Sequence, residues 1–122
     1  MVSPKDGTEC EPHDHPPRPS DRQRPSAEAL LRASNMFKAL GDPERLKLID
    51  RLAEGEKCVS ELAAASGELL STVSQRLRIL HNEGLILRRR QGKHIYYALA
   101  DEHVTGLIYN ALEHANEGIE GL

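Results

Sequence analysis

Glycines at 41, 55, 67 and 84 cut the middle of the chain into four short apolar segments, each repeating at helical rather than strand spacing. Only helices of a few turns fit between such stops. The first runs from about Ser26 and carries Ala29, Leu30, Ala33, Phe37 and Leu40 on one face before Gly41. Asp42 and Pro43 form a cap and first-turn pair for a second helix, which holds Leu46, Leu48, Ile49 and Leu52 and ends near Gly55. Val59, Leu62 and Ala63 give a third, closed by Gly67. Ser71 is expected to cap a fourth, which carries Val73, Leu77 and Leu80 up to Gly84.

After Gly84 the period shortens toward two. Residues 85–90 and 94–99 flank Gln91-Gly92-Lys93, and a β-hairpin is the economical reading. The helical period returns from Asp101, with Val104, Leu107, Ile108, Ala111 and Leu112 on one stripe of a last helix that frays near Gly118. A helix, helix, helix, helix, hairpin, helix order, with a glycine turn between the third and fourth helices, is a winged helix-turn-helix plan, mainly α with a β-hairpin wing.

A chain of 122 residues holds one core, which argues against an enzyme with an interdomain cleft. With one Phe, three Tyr and no Trp, that core is built from Leu, Ile, Val and Ala. Residues 1–26 hold six of the seven prolines and almost no branched aliphatics, so they are expected to form a disordered tail ahead of a domain spanning 27–118. Cys10 and Cys58 are too few for a disulfide framework, and there is neither a leader nor an apolar run of membrane length. A soluble, cytoplasmic protein with reduced thiols is expected.

The net charge of −3 speaks against a nucleic-acid partner until it is divided along the chain. Residues 71–96 carry six basic side chains and one acidic, whereas residues 97–122 carry five acidic and no Lys or Arg. The basic block covers the second helix of the helix-turn-helix and the hairpin, the elements that lie in the major groove and along the phosphates of a duplex. Ser71, Thr72, Ser74 and Gln75 add short polar groups there, although Ser71 also reads as a simple cap. Gln75 and Arg76 are candidates for base readout, since glutamine suits adenine and arginine suits guanine. Arg90 and Lys93 in the wing are assigned to phosphates, and Arg78 is placed on the side away from the duplex.

On the last helix, Asp101, His103, His114 and Glu117 are of the type that zinc takes. Taken singly, they read as a cap, two surface histidines and a solvated acid. His103 and His114 share a face but lie about 16 Å apart along the axis, so one ion cannot join them within a chain. Two such helices packed antiparallel across a two-fold axis bring the Asp101/His103 end of one beside the His114/Glu117 end of the other. Each of the two resulting sites offers two oxygens and two nitrogens, a set for tetrahedral zinc or cobalt rather than a thiophilic metal. Val104, Leu107, Ile108 and Ala111 are expected to make the dimer contact. His81 and His94 are assigned ordinary surface or core roles.

Residues 37–46, 58–63, 71–77 and 92–97 together resemble the ArsR/SmtB family of bacterial metal-responsive repressors, over about Leu31 to Glu117. Asp101-x-His103 with His114-x-x-Glu117 is similar to the last-helix site of its zinc-sensing branch. The resemblance implies a homodimer, paired through its N- and C-terminal helices, that binds an inverted-repeat DNA operator and is released by zinc, or by cobalt or cadmium. It also implies that the second ring nitrogen of His114 reaches a carbonyl near Gly84, joining the metal site to the reading helix. Two features depart from the family pattern. Ser60 stands where arsenic or lead sensors carry the second cysteine of Cys-x-Cys, and Arg76 stands where many members have a shorter or neutral residue. A second, softer metal site drawn from Cys10, His13, His15, Cys58 and Glu61 is the alternative sensor. A metal-stapled interaction module without metal-regulated DNA release is the rival outside transcription. A zinc hydrolase finds no substrate pocket in a helix seam of this size.

Overall fold

The computed structural model describes residues 23–120. Helix α1 (Ala27–Leu40) starts where the Ser26 side chain accepts the Ala29 N–H at 3.0 Å. Helix α2 (Pro43–Leu52) starts where Asp42 accepts the Arg45 N–H at 3.0 Å, with Pro43 in the first turn. Arg45 locks the corner between them, its Nε donating to the Ala39 carbonyl at 2.7 Å. That bond satisfies one of the carbonyls the end of α1 leaves orphaned.

Strand β1 (Lys57–Cys58) leads into α3 (Val59–Ser66), and Gly67 ends α3 with φ 69°. Helix α4 (Leu70–Asn82) is followed by β2 (Ile86–Gln91), β3 (His94–Leu99) and α5 (Glu102–Glu120). The antiparallel sheet runs β1-β3-β2, with Arg88 opposite Tyr97, Arg90 opposite Ile95 and Gln91 opposite His94. Gly92 takes φ 63° as first residue of the two-residue hairpin turn, a conformation that suits the twist of the strands it joins. Strand β1 was not expected: two residues are too few to show a period. No helix among the described residues is long and apolar enough to cross a membrane.

Ile49, Leu62, Val73, Leu77, Leu80, Leu85 and Ile86 are fully buried and form the centre of one core, joined by Leu48, Leu52, Tyr97, Val104 and Ile108. Two expectations are corrected. Helix α4 begins at Leu70, so Leu69 occupies the cap position and Ser71 sits one residue inside the helix. Docking Val73, Leu77 and Leu80 into the core fixes the helix, and its exposed first turn can leave N–H groups to water. Val104 (5% exposed) and Ile108 (3%) pack into the chain's own core, so they are not free to make a contact between copies. The apolar stripe of α1 faces outward instead, with Leu30 and Phe37 each 59% exposed and only Ala39 and Leu40 buried.

Candidate functional site

Helices α3 and α4, joined through Gly67, form the helix-turn-helix, and the Gly67 and Glu68 N–H groups close α3 on the Ala63 carbonyl at 3.0 and 3.3 Å. Burying Val73, Leu77 and Leu80 turns the opposite side of α4 outward. Ser71, Gln75 and Arg78 are exposed there, with Thr72 and Ser74 half-buried beside them. Arg78 thus lies on the outward side, in contrast to the position expected from sequence. Arg76 lies on the flank of α4 and pairs with Glu68 of the turn; both side chains are about three-quarters buried.

In the wing, Arg88 and Arg90 share one face of β2, and Arg89 points to the other. Arg89 donates from Nε and Nη2 to the two oxygens of Glu56, each at 2.7 Å, and its guanidinium lies 4.8 Å from the centre of the Tyr96 ring. The Arg89 hydrogen bond holds the Glu56 carboxyl below its ordinary value and in turn raises Arg89. His81, Arg88, Arg89 and Arg90 line a shallow groove between the end of α4 and β2. Lys93 is exposed at the hairpin tip, and His81 and His94 are also exposed. Glu68 and Glu56 are the functional neighbours that sequence reasoning missed. Their partners stand eight and thirty-three residues away, across a turn and across the sheet, where no spacing rule applies.

Among the candidate metal ligands, Asp101 accepts the Val104 N–H at 3.1 Å, and its Oδ1 lies 3.7 Å from Nδ1 of His103, which is 97% exposed. His114 and Glu117 are exposed one turn apart near the other end of α5. Within one chain and among the described residues, no three His, Cys, Asp or Glu side chains gather as a metal cluster. Cys58 is a buried free thiol at the start of α3, with Sγ 3.1 Å from the Ser60 hydroxyl. Its N–H donates to Glu61 Oε1 at 3.0 Å, and that bond holds the Glu61 carboxyl below its ordinary value. Cys10, His13 and His15 lie outside the described residues.

Comparison with known proteins agrees with this arrangement. The family profile described as "Bacterial regulatory protein, arsR family" matches residues 42–87. The chain is 43% identical over 97 residues to the transcriptional repressor SmtB homolog of Synechocystis sp., covering 77% of this chain and 74% of that protein. It is 41% identical over 85 residues to the cadmium resistance transcriptional regulatory protein CadC homolog of Staphylococcus aureus, covering 69% and 70%. The solution structure of the homodimeric winged helix-turn-helix DNA-binding domain of Mb0332 from Mycobacterium bovis superimposes with a TM-score of 0.70 at 35% identity, over 78% of this chain and 90% of that one. The chain belongs to the ArsR/SmtB family of bacterial metal-responsive transcriptional regulators, and it is a DNA-binding protein rather than an enzyme.

Proposed function

We propose that this chain is a homodimeric repressor whose hold on an inverted-repeat operator is released by zinc, with cobalt and cadmium as competent substitutes. Residues 27–118 are the unit that both binds DNA and senses metal. The observation that carries the reading is the layout of α5. At about 100° per residue, His103, His114 and Glu117 fall within about 60° of one another, on a side that Val104 and Ile108 leave free. Asp101 stands beside His103 at the start of the helix. Two oxygens and two nitrogens suit zinc, and each chain supplies half of the set.

The two copies meet through α1 and α5. Leu30, Leu31 and Phe37 on α1 and Tyr109 on α5 are large apolar side chains left open in the single chain, as an interface between copies requires. On the DNA side, Ser71, Thr72, Ser74 and Gln75 face the major groove, while Arg90 and Lys93 hold phosphates. When bound, the metal supplies a positive centre that fixes one α5 to the other. Release from DNA then follows if the metal-bound pairing fits the operator less well, and DNA weakens metal binding by the same factor.

The test is fluorescence anisotropy of the full chain on the DNA upstream of its own coding sequence, titrated with zinc, cobalt, cadmium, copper(I) and arsenite. His103→Ala and His114→Ala are expected to bind DNA as the wild type does and to lose the zinc response. An unchanged zinc response in both variants rejects the α5 site and leaves the Cys58 set as the sensor. Zinc binding without any change in DNA affinity rejects regulation altogether.

A further inference from the structure

The six basic side chains of residues 71–96 are not equivalent. Two are held by acids that come from outside that segment: Arg76 by Glu68 in the helix-turn-helix turn, and Arg89 by Glu56 ahead of β1. Arg78, Arg88, Arg90 and Lys93 are exposed and have no acidic partner within salt-bridge distance among the described residues. Sequence charge counts all six alike, but a guanidinium already paired with a carboxylate releases no counterion when DNA arrives.

Placement on α4 separates Arg76 from Arg78 in a second way. At about 100° per residue, Arg78 lies about 40° from the middle of the outward Ser71–Gln75 face, whereas Arg76 lies about 120° from it. In the wing, the strand alternation sends Arg88 to the same face as Arg90, and both are exposed there. Arg89, on the other face, is held by two hydrogen bonds to Glu56 and by the Tyr96 ring.

Building on the DNA-binding reading above, we infer that Arg78 and Arg88 are DNA-contacting residues alongside Arg90 and Lys93, and that Glu68 is a positioning residue that withholds Arg76 from the duplex. Glu56 does the same to Arg89. The flank of a helix lying in the major groove faces the phosphates of the groove wall, so Arg76 set free from Glu68 has a phosphate within reach. Glu68 thereby lowers sequence-independent attraction and leaves the outward polar side chains a larger share in choosing the site. Of the six basic side chains of residues 71–96, four are free in each chain and eight in a dimer, so this segment contributes about −7 to the slope of log K against log salt, against about −11 if all twelve made contact.

The experiment measures that slope for the full-length dimer on a random-sequence duplex and on the upstream DNA. Arg78→Ala and Arg88→Ala should each flatten it by about 1.8, two contacts per dimer, while Arg76→Ala and Arg89→Ala leave it unchanged. Glu68→Gln should steepen it by about 1.8, and the Glu68→Gln/Arg76→Ala double variant should return it to the wild-type value. The Glu68 variants test the sorting even if Arg76→Ala folds poorly, which thermal melts by circular dichroism detect. A flattening by Arg76→Ala equal to that of Arg78→Ala, with no change in Glu68→Gln, overturns the inference while leaving the protein a DNA binder. A wild type that binds neither duplex, or binds with no salt dependence, overturns the DNA reading itself.

Discussion

Phe37→Ala tests the contact proposed to hold the dimer together. Phe37 is the chain's single phenylalanine, and it stands 59% exposed on α1, one turn before the buried pair Ala39 and Leu40. A phenylalanine buries roughly 200 Å2 when fully covered, so about 120 Å2 of Phe37 remains for a partner to cover. The alanine methyl still covers part of this, leaving a loss of about 80 Å2, or about 2 kcal/mol per copy at about 25 cal/mol per Å2. A two-fold interface contains the substitution twice, so dimerisation weakens by about 4 kcal/mol and the dissociation constant rises about a thousandfold. The fold of the single chain should barely respond, because the side chain is mostly outside the core and alanine is the better helix former by about 0.5 kcal/mol. Sedimentation equilibrium across a range of concentrations measures the dissociation constant, and a chemical melt at a concentration where both proteins are monomeric measures the fold. A variant whose dissociation constant stays within about tenfold of the wild type shows that the α1 stripe does not lie at the centre of the interface.

Two further predictions concern stability. Leu77 is completely buried at the centre of the core, so Leu77→Ala should lower unfolding stability by about 2–5 kcal/mol in urea melts, through lost burial and the cavity left behind. A loss under about 1 kcal/mol refutes the central place given to Leu77. Glu61 has its carboxyl lowered from 4.5, first by the Cys58 N–H, so its stabilisation is fully present above 4.5 and fades as pH falls through the lowered value. Differential scanning calorimetry should find Glu61→Gln less stable than the wild type at neutral pH, with the gap closing below 4.5. A gap that stays constant on acidification shows that the carboxylate charge is irrelevant to the cap.

The helices and the hairpin were legible in the sequence because glycine stops and apolar spacing agree at each of them, whereas the two-residue β1 carries no such signal. Val73, Leu77 and Leu80 are one example: their spacing predicts a buried helical stripe, and all three are fully buried. The same spacing cannot say what an apolar face is buried against. Leu30 and Phe37 repeat as regularly as Val104 and Ile108, yet the first pair is open in the single chain and the second fills its core. Ser71 misled for a related reason. Short polar residues suit both a cap and an exposed first turn, and the register of Val73 in the core, invisible to local propensity, decides between them. The pairing of Arg76 with Glu68 was hidden because it depends on the angle at which the turn brings α3 to α4, a tertiary quantity.

Asp101 links the two halves of the metal proposal physically. Its carboxylate caps α5 by accepting the Val104 N–H, and Val104 is itself anchored in the core, so the position of Asp101 is set by packing rather than by any metal. A carboxylate offers about four lone-pair sites, and the cap uses one. Ligation therefore need not undo the helix start, although the positive end of the helix dipole opposes an incoming cation there. His103, almost wholly exposed, has no such anchoring and loses its rotamer freedom only on binding. A pre-placed oxygen beside an exposed imidazole would make only a weak site within one chain. In the proposed site it becomes a strong one only with His114 and Glu117 of a second copy in fixed positions, so that metal affinity would depend on how the two α5 helices are paired. A sensor needs that dependence: a site complete within one chain could bind metal tightly and still leave the spacing of the two reading helices unchanged.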